Sequence, residues 1–162
     1  MSEAKHVNFI LSNWTYLQYN EFLNKFQQRD FRGAGYLVED VVADWSAFDI
    51  PEAAEHPIDH LSLEDASAII HALQAKTKEY TDGLDFENDV IVDLSKWKWN
   101  DFNVFQDLVR QGNIEKAIDM MLDVARLKKG HPKKDEPLNA VQGIALFAAL
   151  TKKIQRVFSG GN

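Results

Sequence analysis

Residues 94–117, LSKWKWNDFNVFQDLVRQGNIEKA, echo residues 11–34, LSNWTYLQYNEFLNKFQQRDFRGA. When residues 7–42 are set against 90–125 without a gap, ten of the 36 pairs are identical. They include Leu11/Leu94, Trp14/Trp97, Asn20/Asn103, Phe22/Phe105, Ala34/Ala117 and Val41/Val124. Other pairs keep their character, among them Tyr16/Trp99, Tyr19/Phe102, Asp30/Asn113 and Val38/Met121. The shared apolar positions fall at helical spacing, so both copies are expected to bury the same face. The register then changes. His56-Pro57 and His131-Pro132 lie 75 apart instead of 83, so the first copy carries eight more residues, matching SAFDIPEAAE at 46–55. A third helical segment follows each His-Pro. Stacked-repeat folds have shorter periods and more copies. The expected fold is therefore all-α, a tandem duplication of a three-helix unit with short extended segments at the start of each copy. The copies are residues 1–82 and 83–162.

Local signals place the segments. Val7, Phe9 and Leu11, and again Val90, Val92 and Leu94, alternate with the period of an extended chain. The first helix of each copy presents Tyr16, Tyr19, Phe22, Leu23 and Phe26, or Trp99, Phe102, Phe105, Leu108 and Val109. Thr15 and Gln18 have the spacing of a capping box. Asp30 and Asn113 stand where the next helix needs an N-cap, and Gly112 suits the left-handed end of the helix before it. The second helix is predicted to carry Ala34, Leu37, Val38, Val41 and Val42 and to end at Trp45, its twin Ala117, Met120, Met121, Val124 and Ala125. The third starts near Ser62 and is predicted to bury Leu63, Ala66, Ile69, Ile70 and Leu73; its twin buries Val141, Ile144, Phe147, Leu150, Ile154 and Phe158. TDGLDFEND at 81–89 joins the copies.

Composition excludes several functions. The net charge of −7 disfavours general nucleic-acid binding, which needs clustered cations against phosphate. There is no cysteine, hence no disulfide, thiol nucleophile or thiolate metal site. MSEAKHVNF lacks the apolar core of a signal peptide, and the longest apolar run, Ile144 to Leu150, is too short for a membrane span. A cytoplasmic protein with no membrane partner is expected. His56 and His60 in HPIDH, with Asp59 and Glu64 nearby, raise a metal-site question, but Pro57 argues against both rings sharing a helical face. Asp82, Asp85, Glu87, Asp89 and Asp93 lack the ligand order of a calcium loop. RLKKGHPKKDE at 126–136 reads as a solvated basic loop, and no nucleophile or phosphate-loop motif is present. No catalytic, cofactor or metal residue is assigned. Trp45, whose counterpart in the second copy is not a tryptophan, is a candidate partner-binding residue.

The segment Trp97 to Ala125, with its W-x-W-N-D-F opening and GNIEKAIDMMLDVA continuation, resembles the tail assembly chaperones of long-tailed bacteriophages. In the first copy Trp14, Tyr16, Phe22, Asp30, Phe31 and Val41 carry the resemblance, and Leu61-Ser62-Leu63 resembles the third-helix start. The pattern occurs twice in this chain, and Leu17 and Tyr19 stand where the second copy has Asn100 and Phe102. The resemblance implies a non-catalytic factor that coats a long helical tape-measure protein and helps tail-tube subunits polymerise around it. Such a task needs apolar grooves for an amphipathic helix. Trp99, Met120 and Met121 join Trp45 as candidate partner-binding residues, although core filling competes as a reading of both methionines. Two other functions compete: a cellular helical adaptor, and a metal-dependent enzyme with its site between the copies near His56, His60 and Glu64.

Overall fold

The computed structural model describes residues 7–85 and 88–160. Within them lie α1 (Tyr16–Gln27), α2 (Phe31–Glu39), α3 (Leu63–Asp82), β1 (Val90–Val92), α4 (Trp99–Arg110), α5 (Ile114–Val124), β2 (Ala125–Leu127) and α6 (Ala140–Phe158). Short 3-10 turns at Leu11–Asn13 and Leu94–Lys96 precede α1 and α4, and a third, Pro57–His60, precedes α3. The fold is mostly helical with one small antiparallel sheet, and its first strand falls in the segment expected to be extended. Glu87 and the first six residues, which enter the expectations about acidic ligands and the signal peptide, lie outside the described residues.

Helix ends follow the capping chemistry. The Gln18 N–H donates to Thr15 Oγ1 at 3.1 Å, and the Thr15 N–H donates to Gln18 Oε1 at 2.9 Å, closing the expected box. Asp30 caps α2 by accepting from the Gly33 N–H at 3.0 Å, and Asn113 caps α5 in the same backbone conformation. Before each cap stands a left-handed residue, Gly112 at φ 76° and Arg29 at φ 64°. Glycine reaches that region without strain; arginine does so at a cost of about 1 kcal/mol.

The same devices recur 83 positions apart. The Ile10 N–H donates to Val41 O and the Asp93 N–H to Val124 O, both at 2.7 Å. Phe9 bridges Val42 and Val92 pairs with Ala125, both antiparallel. The Asn20 and Asn103 amides each donate back to the first carbonyl of their helix at 2.8 Å. Trp14 stacks near Phe22 at 5.3 Å and Trp97 near Phe105 at 5.1 Å.

Several boundaries differ from the sequence expectation. Each second helix ends early, at Glu39 and Val124. The chain beyond turns extended because the segments containing Phe9 and Val92 offer backbone partners, which β-branched Val41 and Val42 accept readily. Trp45 accordingly sits in a loop, not at a helix end. Leu63, expected in the core, is exposed, as are Leu23 and Phe158. Leu23 and Leu63 line open grooves, and Phe158 stands beside Phe102 and Trp99 at the end of α6.

The core has two parts. One gathers Leu11, Trp14, Phe22, Val38, Ile69 and Leu73; the other gathers Val90, Phe105, Met121, Val124, Leu146 and Leu150. The buried Trp14 indole N–H donates to Leu37 O at 2.8 Å, satisfying a carbonyl in the last turn of α2. α6 enters both parts: Ala140 packs with the first, and Ile144, Leu146, Ala149 and Leu150 with the second. It is anchored where Thr15 bridges Asn139, through the Tyr16 N–H to Leu138 O and the Ala140 N–H to Trp14 O, each 2.8 Å. There Gly143 lies on the Tyr16 ring so closely that an added Cβ would stand 2.1 Å from it.

Alanine at position 143 gains about 1 kcal/mol of helix propensity over glycine. The clash outweighs that gain, and Gly143→Ala is expected to lose about 2 kcal/mol of stability overall. Urea denaturation measures it; an unchanged or higher midpoint would show that Tyr16 steps aside freely.

Candidate protein-binding surfaces

Three surface regions concentrate apolar or charged groups. The first is a groove of about 280 Å³ between α1, α4, α5 and α6. Tyr19, Leu23, Val109, Ile118 and Phe147 line it, and Met121 contributes to its floor. Burial raises the pKa of Tyr19, and a hydrogen bond with Thr77 opposes the rise, so the phenol is neutral at physiological pH. Tyr16, hydrogen-bonded to Asn20, is held neutral more strongly by deeper burial. The groove is apolar with few polar groups, the character of a site for a hydrophobic helix face.

The second groove, about 420 Å³, runs between α2 and α3, with Phe26, Phe31, Ile58, Leu63 and Ile70 on its walls. The third region is the aromatic cluster of Trp99, Phe102 and Phe158. The Trp99 and Phe158 centroids are 6.1 Å apart and those of Phe102 and Phe158 are 5.5 Å apart. Trp99 is 68% exposed, although it opens a helix and stands beside two other rings.

The four candidate residues are dispersed. Trp45 is half-buried, packing its ring 6.2 Å from Phe48 and closing the first part of the core. Met120 is half-buried against the second part. Met121, 1% exposed, is a core residue with only its groove-facing surface open. Trp99 alone presents most of its surface outward. Sequence reading missed the α1–α4–α5–α6 groove, because its walls come from helices far apart in the sequence and only the chain path brings them together. It also missed that Lys128, from the basic loop, stands with Lys152, Lys153 and Arg156 of α6 along β1. The lysine pair of α6 was the available signal.

HPIDH is structural. His56 Nδ1 lies 2.8 Å from Glu39 Oε1, and its ring stacks on Tyr36 with centroids 3.7 Å apart. Glu39 Oε2 also accepts from the Ile58 N–H at 3.2 Å, and the Tyr36 hydroxyl donates to Asp59 Oδ2 at 2.8 Å. The second histidine, His60, takes no part in this network, and no group of three His, Asp or Glu side chains among the described residues is placed to hold a metal ion. No helix among the described residues is long and apolar enough to cross a membrane. No family model matches the chain, and no curated protein or solved structure matches it.

The hydrogen bond to Glu39 raises the His56 pKa above its ordinary value of about 6.5, against a smaller opposing effect of burial. A raised folded-state pKa means the pair stabilises the fold fully below the unfolded value, and the contribution disappears as pH rises through the folded value. In an NMR titration the His56 ring should titrate above 6.5, and Glu39→Gln should bring it down. A His56 pKa unmoved by Glu39→Gln would dismiss the pair.

Proposed function

We propose that this chain is a non-catalytic, cytoplasmic protein-binding factor that holds an amphipathic helix in the groove between α1, α4, α5 and α6. The observation that carries this reading is the groove's lining. Leu23 and Val109 stand on its walls, Met121 lies at its floor, and the polar groups are few. Thioether side chains repack easily against varied apolar surfaces, which suits a long client with many similar segments. Within this proposal the chain is a tandem duplication, residues 1–82 and 83–162, and the groove lies at the seam of its two units. The hydrogen bonds and left-handed turns that recur 83 residues apart support the duplication.

The resemblance to tail assembly chaperones gives the client: a phage tape-measure protein, with tail-tube subunits joining later in the host cytoplasm. Neither nucleic acid nor membrane is a partner. Met120 and Met121 serve the groove by letting α5 adjust; Trp45 and Trp99 offer aromatic contacts outside it. A helical adaptor for one cellular protein uses the same groove and differs only in its client.

Tagged wild-type protein and a Leu23→Lys/Val109→Glu variant, expressed in the native producing cells, separate these readings. Mass spectrometry should find a very long helical protein retained by the wild type and reduced about tenfold or more with the variant. One ordinary cellular protein, lost in the variant, would favour the adaptor. Capture that ignores both substitutions would sink the groove.

A further inference from the structure

We infer that the first turn of α3 in one molecule docks on Trp97–Trp99 of a second copy, making between chains the joint that Thr15 and Asn139 make within one. The inference rests on the two-copy reading and adds self-association to it. In the existing joint, Leu138-Asn139-Ala140 pairs antiparallel with Trp14-Thr15-Tyr16, and Gly143 covers the Tyr16 ring. The shift of 83 carries Trp14-Thr15-Tyr16 onto Trp97-Lys98-Trp99. Asn139 is the N-cap of α6, and Ser62 is the N-cap of α3. Aligned on these caps, Leu61 matches Leu138, Leu63 matches Ala140 and Ala66 matches Gly143.

Both halves of this second joint are present and open. Trp99 is 68% exposed where Tyr16 is 6% exposed, and Leu63 is 88% exposed where Ala140 is 0% exposed. Farther along the two helices the match returns in part, since Ile69 and Leu73 are buried like Leu146 and Leu150. Ser67 and Ala72 of α3 are exposed where Ile144 and Ala149 of α6 are buried, so the shared inward positions are Ile69/Leu146 and Leu73/Leu150. Trp99 and Leu63 are each the first residue of a helix, so their N–H groups have no intrahelical acceptor. Antiparallel pairing supplies one to each: Leu63 N–H donates to Trp97 O, and Trp99 N–H donates to Leu61 O. Ala66 then lies over the Trp99 ring, a small residue on an aromatic as in the existing joint. Charge agrees, because Lys96 and Lys98 flank Trp97 while Glu64 and Asp65 follow Leu63. The two surfaces differ, so the contact is heterologous and builds a closed pair or a longer row.

The chain has no native cysteine, which makes a disulfide test clean. Thr15 and Asn139 form the close, non-hydrogen-bonded kind of antiparallel pair, suited to a disulfide. Ser62→Cys and Lys98→Cys proteins, mixed and oxidised, should cross-link to each other and not to themselves. Thr15→Cys/Asn139→Cys should close within one chain at unchanged mass. Sedimentation velocity should show mass rising with concentration, and Trp99→Asp or Leu63→Asp should weaken association about tenfold or more with circular dichroism unchanged. A monomeric mass up to about 200 µM, a concentration that exposes weak association, overturns the inference, as does equal cross-linking among like variants. If the intrachain disulfide closes while the interchain one does not, the inference fails alone. Client capture by Leu63→Asp, which lies outside the groove between α1, α4, α5 and α6, reports separately on that groove.

Discussion

The contact between Gly143 and Tyr16 sets the rest of the molecule. α6 enters both parts of the core, and it does so from one anchored end. At that end two short backbone segments exchange hydrogen bonds, which requires the helix axis to come close to α1. A side chain at position 143 would hold the helix off the Tyr16 ring and stretch those bonds. Glycine is unfavourable inside a helix for its conformational entropy. Here the close approach returns more than that cost, because it brings Ile144, Leu146 and Leu150 into the second core.

Backbone geometry is held more closely than residue identity at positions 83 apart. The turn after α4 uses Gly112 and the turn after α1 uses Arg29, yet both take the left-handed conformation and both lead into a side-chain cap. Trp14 donates its indole N–H to Leu37 and is fully buried, while Trp97 is half-buried against Phe105. The first residues of α1 and α4 differ in what covers them. Tyr16 lies under the first turns of α6 at Gly143, and Trp99 stands exposed beside Phe102 and Phe158, at the far end of α6.

Much of the local structure was legible because its causes are local. The Thr15–Gln18 box, the Asp30 and Asn113 caps and the left-handed Gly112 each depend on a few consecutive residues, and each stands as expected. The six helices follow from apolar spacing. The early ends of α2 and α5 were not legible, since Val42 and Ala125 continue a helical pattern. Only a strand partner far along the chain turns them extended. The exposure of Leu63 also depends on neighbours that periodicity cannot supply, whereas the burial of Met121 agrees with its place on the apolar face of α5. Periodicity is equally silent on the groove, whose walls come from residues about 90 positions apart, such as Tyr19 and Val109.

Because one helix closes both parts of the core, neither half carries a complete set of contacts. The first lacks Ala140 without α6, and the second lacks Tyr16 without α1. Loss of either side exposes apolar surface on the other, which ties their free energies together. The molecule is therefore expected to melt as one cooperative unit. Tryptophan fluorescence and far-ultraviolet circular dichroism should trace a single coincident transition on heating. A chain cut between Asp82 and Val90 should yield fragments that fold only when recombined.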